Sequence, residues 1–211
     1  MLIILASSSP RRKEMLDSIG LYVENLFPSY NERSPLLKES SHHYVMRMAL
    51  LKALSVCSDA PNDSVIIAAD TVIDINSTIL RKPIDRKEAN AFLNLLKNKK
   101  HCVITGLAVI YQQRCKNFLI NSSTDVYMRN YSQSEINEYL NTEHYLDKSG
   151  AYAIQSKIFN PVNKIHGCYS SVLGLPLCKL DLILNEIGLT ADYSTDVEQF
   201  MYCYQCVLKN K

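Results

Sequence analysis

Apolar runs of strand length alternate with amphipathic helical patterns along the chain. The run 65–73, Val-Ile-Ile-Ala-Ala-Asp-Thr-Val-Ile, is rich in β-branched residues, which is typical of a strand buried on both faces. The runs 101–111 and 118–128 predict an antiparallel pair because a short polar connection joins them. Apolar positions three and four residues apart predict helices over 41–58 and 177–187. The pattern as a whole predicts strands interleaved with helices.

One carboxylate, Asp70, interrupts the apolar run 65–73. A lone carboxylate that is taken out of water costs several kcal/mol unless it meets a cation, a metal ion or a set of hydrogen-bond donors. The alternative is a structural aspartate that caps a turn at the end of the strand. If Asp70 is buried, the chain must supply positive charge close to it.

The first segment of the chain predicts an anion site. Residues 2–6 form a short apolar strand, and a serine-rich turn follows, with Ser9 as helix N-cap and Pro10 at the first helical position. Arg11 and Arg12 then stand in the first helical turn, where cations oppose the helix dipole. A bound phosphate would reverse that effect, because both guanidinium groups and the free backbone N–H groups could share it. Two solvated surface arginines are the alternative.

Two lysines are candidates for the charge near Asp70. Lys52 falls on or beside the apolar face of the helix 41–58, where it needs a partner or must extend to solvent. Lys82 is held in an extended backbone by Pro83, one hairpin arm beyond Asp70. Both lysines are predicted phosphate or carboxylate partners, and for Lys52 extension to solvent remains open.

The second half of the chain offers one further polar candidate. Residues 147–155 predict a charged turn with glycine that enters a short strand ending on Gln155. The amide of Gln155 could recognise a base edge through a paired donor and acceptor, and an ordinary surface glutamine is the alternative. A glycine- and serine-bearing loop is predicted at 167–174.

The composition of the chain is typical of a globular protein and argues against nucleic-acid and membrane binding. With 211 residues, 47% of them hydrophobic and 21% charged, the chain suffices for one domain with a sizeable core. The net charge of +2 argues against a nucleic-acid or membrane surface. The seven cysteines are odd in number and irregularly spaced, and the apolar opening 2–6 is too short for a secretory or membrane segment. Free thiols and a cytosolic protein are therefore expected, with no metal or redox use for the Cys203 and Cys206 pair.

Several segments together resemble, in order and spacing, the Maf family of nucleoside triphosphate pyrophosphatases. The resemblance covers residues 2–188. The chain departs from the family pattern at Arg81, where glycine is usual, at Ser156, where glycine usually follows the glutamine, and at Ser8, where glycine or alanine is common. The matching segments are Leu5-Ala6-Ser7-Ser8-Ser9-Pro10-Arg11-Arg12, Ala69-Asp70-Thr71-Val72, Lys82-Pro83, His101-x-Val103-x-Thr105-Gly106, Asp147-Lys148-Ser149-Gly150-Ala151-Tyr152-x-Ile154-Gln155 and Gly174-Leu175-Pro176.

The resemblance implies a fold and an activity. It implies a mixed α/β fold with an elongated twisted sheet flanked by helices, two lobes around a central cleft, and a likeness to inosine triphosphate pyrophosphatases. The catalytic domain would span residues 1–188, followed by a tail at 189–211, and the protein would form a homodimer. The activity would be hydrolysis of a nucleoside triphosphate to the monophosphate and pyrophosphate. The Asp-Thr pair at 70–71 resembles the branch that acts on dTTP and UTP.

The resemblance also implies roles for single residues. Asp70 would be the general base, and Mg²⁺ or Mn²⁺ would be held partly by Glu32 and Asp70. A non-catalytic nucleotide-binding regulator of cell division is the alternative, and turnover distinguishes the two. The implied substrate-selecting residues are Arg11, Thr71 and Gln155, and the implied phosphate and metal pocket is formed by Ser7, Arg12, Glu32, Lys52 and Lys82.

Overall fold

The computed structural model describes residues 1–30, 34–192 and 200. Strands and helices are interleaved in these residues, as the sequence predicts. The strands are β1 (Ile3–Ala6), β2 (Glu24–Leu26), β3 (Val65–Ile75), β4 (Thr78–Leu80), β5 (Lys100–Tyr111), β6 (Lys116–Met128) and β7 (Val162–His166). The helices are α1 (Pro10–Asp17), α2 (Ser41–Leu54), α3 (Arg86–Leu96), α4 (Gln133–Leu140), α5 (Tyr169–Leu173) and α6 (Leu177–Glu186), with short 3-10 helices at Gln112–Arg114 and Ser149–Ala151.

All strands join one mixed sheet in the order β2-β1-β3-β5-β6-β7, and β4 pairs with β3. The β1 strand is parallel to β2 and β3, whereas β3, β5 and β6 pair antiparallel. These three strands are 11 to 13 residues long and form the long central part of the sheet. The predicted mixed α/β fold with a sheet flanked by helices is confirmed.

One edge of β3 is interrupted. On one side β5 pairs with β3 from Val65 to Asp74. On the other side β1 pairs with residues 65–67 and β4 pairs with residues 73–75. Among the described residues, no strand covers 68–72 of β3 on that second edge. Asp70 therefore lies in the middle of a long strand but at an opening in the sheet.

Side chains of β3 alternate between two packed faces, because successive residues of a strand point in opposite directions. Ile66 and Ala68 pack with α2 on one face, and Ile67 and Ala69 pack with α1 and α6 on the other. By this alternation the Asp70 side chain lies on the α2 face and the Thr71 side chain on the α1 face. Two adjacent residues thus reach the opening from opposite sides of the sheet.

Gly106 allows α2 to lie directly against the sheet. It pairs with Asp70 across β3 and β5. A Cβ atom at Gly106 would lie 2.3 Å from the carbonyl oxygen of Val45 in α2. Only glycine permits this approach of helix backbone to strand backbone. The close contact holds α2, which carries Lys52, against β5 beside Asp70.

Three local predictions are wrong. Residues 147–155 do not enter a strand, because Gly150 and Ala151 take left-handed backbone angles, φ +69° and +63°, and turn the chain within the short segment Ser149–Ala151. Gln155 lies in a turn rather than at a strand end. The predicted loop 167–174 contains α5, and the helix predicted over 41–58 ends at Leu54.

The segment after α6 contributes to the core that lies under α1 and α6. Leu189 and Ala191 pack against this core, and Phe200 is buried in it. The predicted domain boundary at 188 and the two-lobe description stay predictions. No helix in the described parts of the chain combines the length and apolar character needed to cross a membrane.

The prediction of free thiols is wrong for Cys178 in α6, which takes part in a disulfide. Cys203 and Cys206 lie outside the described residues. Free thiols are found at Cys57, Cys102, Cys115 and Cys168.

Candidate active site

A cleft of about 240 Å³ opens at the interrupted edge of β3. Glu32 lies outside the described residues, so its predicted role stays untested by geometry. Gln155 does not line the cleft but a neighbouring depression, which it lines with Lys157 and Ile158 and which shares Asp147 and Lys148 with the cleft. The predicted site residues that line the cleft are Ser7, Arg11, Arg12, Lys52, Asp70, Thr71 and Lys82.

Lys52 and Asp70 form an ion pair inside the cleft. The Lys52 Nζ atom lies 2.6 Å from Asp70 Oδ1, and the side chains are 11% and 7% exposed. The burial of Asp70 and its need for a cation are confirmed, and the alternative in which Lys52 extends to solvent is wrong. The pair holds the carboxylate in one orientation at the base of the opening.

We expect Lys52→Met to lower the free energy of unfolding by about 2 kcal/mol, because the largely buried Asp70 carboxylate would lose its cation. Urea unfolding measures this change. Lys87→Met, at an exposed position of α3, is the matched control and should stay within about 0.5 kcal/mol of the wild type. In an Asp70→Asn background the cost of Lys52→Met should largely disappear. Simple additivity of the two changes would contradict an electrostatic origin.

The turn before α1 holds Arg12 rather than leaving it in solvent. Ser7 is 3% exposed. Its Oγ accepts hydrogen bonds from the Ser9 backbone N–H at 3.1 Å and from Arg12 Nη1 at 3.2 Å. Arg12 Nε donates to the Gly174 carbonyl at 2.8 Å, and Nη2 donates to Thr71 Oγ1 at 3.4 Å. The guanidinium group is therefore fixed at the wall of the cleft, and a freely solvated Arg12 is excluded.

A second group of charges faces the cleft from the 147–149 turn. Burial lowers the pKa of Arg11, and the Asp147 carboxylate partly opposes this shift. The pKa of Lys148 is also lowered, by burial first and then by the charges of Arg11 and Lys82, although its hydrogen bond to Asp147 opposes the shift. Burial raises the pKa of Asp147, but the hydrogen bond from Lys148 and the two nearby cations outweigh it, so the net shift is downward. Three cations thus crowd one side of the cleft, an arrangement that a polyanion would stabilise.

Lys148 is the cleft residue that the sequence prediction missed. It lines the cleft, and its side chain is 14% exposed. The signal was present, because Lys148 belongs to the matching segment that starts at Asp147. A lysine in a glycine-bearing turn is usually solvated, so the pattern alone did not single it out.

A neutral histidine supports the far wall of the cleft. Tyr152 lines the cleft, and its hydroxyl lies 2.8 Å from Nε2 of His101. His101 is 2% exposed, and burial lowers its pKa from 6.5 to about 4. The imidazole is therefore uncharged at neutral pH, and it packs edge-on against the Tyr152 ring.

The buried His101 predicts a specific acid sensitivity. Between about pH 6.5 and 4 the unfolded chain binds a proton at this residue and the folded chain does not. The contribution of the neutral His101 to the free energy of unfolding is therefore fully present above pH 6.5. It is lost as the pH falls to 4, by about 3 kcal/mol. We expect His101→Gln to flatten this part of the curve of unfolding free energy against pH. His144→Gln, at an exposed histidine, should leave the slope as in the wild type; an unchanged slope in His101→Gln would contradict the assignment.

Comparison with known proteins shows the family of this chain. The profile described as Maf-like protein matches residues 2–187. The chain belongs to the Maf family. A Maf relative from Caldanaerobacter subterraneus subsp. tengcongensis, named dTTP/UTP pyrophosphatase, is 38% identical over 90% of this chain and 91% of its own.

Other Maf relatives carry the same name. The protein from Clostridium beijerinckii is 39% identical over 89% of this chain and 100% of its own, and that from Alkaliphilus oremlandii is 40% identical over 87% and 94%. Both are named dTTP/UTP pyrophosphatase. Among solved structures, a HAM1 protein from Coxiella burnetii aligns with 63% of this chain and 76% of its own, at 14% identity and a TM-score of 0.41.

The departures from the usual Maf pattern fall at two different places. Arg81 and Ser8 line the cleft. The Arg81 carbonyl accepts a hydrogen bond from Gly150 N–H at 3.0 Å, which ties the strand end to the 149–151 turn. Ser156 lies instead in the neighbouring depression, beside Gln155. Arg81 therefore adds a cation at the cleft itself.

The carboxylates of this Maf cleft fit one mode of divalent metal binding. Among the described residues, no cluster of three His, Cys, Asp or Glu side chains forms a complete metal cage. Mg²⁺ is usually held by one or two carboxylates, with substrate phosphates and water as the remaining ligands. Asp70 in a cleft lined by cations fits that mode.

Proposed function

We propose that this Maf protein hydrolyses nucleoside triphosphates, with dTTP and UTP preferred, to the monophosphate and pyrophosphate. The observation that carries the proposal is one oriented carboxylate, Asp70, at the base of a cleft otherwise rich in cations. Relatives named dTTP/UTP pyrophosphatase, 36–40% identical over most of the chain, support the substrate class.

The cations hold the triphosphate in this proposal. Transfer at phosphorus depends more on charge neutralisation and alignment than on covalent help from the protein. Arg12 and Lys52 approach from opposite faces of the sheet, and Arg11, Lys82 and Lys148 from the outer wall. The N-terminus of α1, which begins at Pro10 in the lining of the cleft, adds the positive end of its helix dipole for phosphate oxygens.

Asp70 acts as the general base. A water molecule attacks the α-phosphorus, its proton passes to the Asp70 carboxylate, and the bond to the bridging oxygen breaks so that its electron pair leaves with pyrophosphate. Lys52, 2.6 Å from Oδ1, keeps the carboxylate aimed at this position.

Asp70 and Glu32 would hold Mg²⁺ or Mn²⁺ together with the phosphates. A bound divalent ion supplies charge neutralisation at the phosphate oxygens. Base selection is assigned to Thr71, Arg11 and Gln155, as the resemblance to the Maf family implies, and the Asp-Thr pair at 70–71 resembles the branch that acts on dTTP and UTP. A cytosolic location, a homodimer and the lack of a nucleic-acid or membrane partner belong to the same proposal.

Pyrophosphate release by the purified protein tests the proposal. The substrates are dTTP, UTP, CTP, the purine triphosphates and methylated GTP, each with Mg²⁺ or Mn²⁺. We expect the highest kcat/KM with dTTP and UTP. Nucleotide binding without turnover across the panel would contradict the enzyme assignment and favour the regulator, and Arg81→Gly would then be the first variant to examine.

A further inference from the structure

A chain of hydrogen bonds leads from Arg12 at the cleft wall into the protein interior. Arg12 Nη2 lies 3.4 Å from Thr71 Oγ1, and Thr71 Oγ1 lies 2.9 Å from Thr105 Oγ1. Thr105 Oγ1 in turn lies 2.7 Å from the backbone carbonyl of Ser171 in α5. Thr71 and Thr105 are direct cross-strand partners in β3 and β5, so the sheet register itself places the two hydroxyl groups together.

The two end groups of this hydrogen-bond series, the Arg12 guanidinium and the Ser171 carbonyl, determine the direction of every bond in it. A guanidinium group only donates and a carbonyl oxygen only accepts. The Thr105 hydroxyl must therefore give its hydrogen to Ser171 O, and its oxygen accepts the hydrogen of Thr71. Thr71 then presents only an oxygen lone pair, and Arg12 Nη2 donates to it. The Thr71 hydroxyl has no second hydrogen to offer to a nucleotide.

Thr105 does not belong to the cleft surface. It is fully buried, and the cleft lining includes its neighbour Val103 but not Thr105. The mechanism described above assigns it no role. Its hydroxyl is nevertheless the group that orients Thr71, and through Thr71 it fixes one of the two terminal nitrogens of Arg12.

We propose that Thr105 is a positioning residue that sets the Arg12 guanidinium for polyphosphate binding through the hydroxyl of Thr71. The proposal rests on the proposed function for its substrate and deepens it. In this proposal Thr71 affects phosphate binding because it holds Arg12, in addition to any role in base selection. Loss of the Thr105 hydroxyl removes the acceptor that holds the Thr71 hydroxyl in place, so the position of the oxygen that accepts from Arg12 is no longer fixed.

The test compares Thr105→Val, which keeps the shape and removes the hydroxyl, with Thr105→Ser, which keeps the hydroxyl. Calorimetry measures the affinity for inorganic tripolyphosphate, and steady-state kinetics measures KM and kcat for dTTP. We expect Thr105→Val to raise both the Kd and the KM about tenfold, while kcat changes less than about threefold. Thr105→Ser should stay within about twofold of the wild type in all three.

A double-mutant cycle separates this role from a general packing effect. In an Arg12→Met background, Thr105→Val should have no further effect on tripolyphosphate affinity. An equal effect in both backgrounds, equal losses in the Ser and Val variants, or wild-type affinity in Thr105→Val would each overturn the proposal. If Thr105→Val does not fold, the smaller Thr105→Ala takes its place in the same cycle.

The tripolyphosphate measurement also keeps this proposal apart from the proposed function. Wild-type protein that binds tripolyphosphate but hydrolyses no nucleotide would contradict the enzyme assignment, and the Thr105 comparison would still be decided by affinity. Wild-type protein that does not bind tripolyphosphate would overturn the positioning role itself.

Discussion

Replacing Asp70 by asparagine should lower kcat for dTTP at least about a thousandfold, because the amide keeps the size of the side chain but cannot take the proton of the attacking water. Affinity for tripolyphosphate should stay equal or increase, since the substitution removes the negative charge that opposes phosphates inside a cationic cleft. Pyrophosphate release and calorimetry on the same preparation measure the two effects. A selective loss of kcat would identify Asp70 as a group that acts on the reacting atoms.

Asp74 provides the matched control for this experiment. It lies four residues further along β3 on the same face, where it contacts the hydroxyl of Ser41 and the backbone N–H of Ser77. It does not line the cleft. Asp74→Asn should keep kcat within about threefold of the wild type. Near-wild-type turnover in Asp70→Asn would contradict the general-base assignment, and a similar loss in both variants would point to a general disturbance of β3.

The second large effect is expected from a single added methyl group. Gly106→Ala places a Cβ 2.3 Å from the Val45 carbonyl oxygen, and the obstacle is helix backbone, which cannot move aside as a flexible side chain can. The substitution should lower the free energy of unfolding by about 4 kcal/mol, above the usual range for overpacking. For a domain of this size that corresponds to a fall in Tm of roughly 8–16 °C.

Activity should fall with stability in this variant, because α2 carries Lys52. If α2 moves away from the sheet, the ion pair that orients Asp70 is lost as well. Gly188→Ala is the control: the space around Gly188 is open, and only its left-handed backbone, φ +82°, opposes alanine, at a cost of about 1 kcal/mol. Thermal melts and turnover measure both. A Gly106→Ala variant as stable as Gly188→Ala would show that the close contact of α2 and β5 is not required.

The charged centre of the site could be predicted from local sequence. A carboxylate within the apolar run 65–73 demands a cation, and Lys52 beside an apolar helix face demands a partner. The sequence around either residue alone allows more than one interpretation. A buried carboxylate requires a cation and a half-buried lysine requires an anion, and in the structure Asp70 and Lys52 form this ion pair. The cleft around them could not be predicted, because it arises from two different strands, β1 and β4, that share one edge of β3.

The 147–155 segment marks where local reasoning failed. Its short apolar run, residues 151–154, favours a strand, but the left-handed angles at Gly150 and Ala151 turn the chain instead. The segment packs tightly against β3 at this point: a Cβ at Gly150 would lie 2.2 Å from Ile73 Cδ1. This tertiary packing stabilises the left-handed backbone angles. The closeness of Lys148 to Arg11 and Lys82 is likewise a product of tertiary structure, since these residues are far apart in the sequence.

The interrupted edge of β3 has a consequence for the solubility of the protein. Unpaired backbone groups at a strand edge invite pairing with a strand of another molecule, which is a route to aggregation. Here the Ser149 hydroxyl donates to the Thr71 carbonyl at 2.6 Å and so occupies one of these groups. The cations at the opening, among them Arg11 and Lys82, are charges of the kind that protect natural sheet edges. The groups assigned to phosphate binding would thus also keep the break in the sheet from accepting a foreign strand.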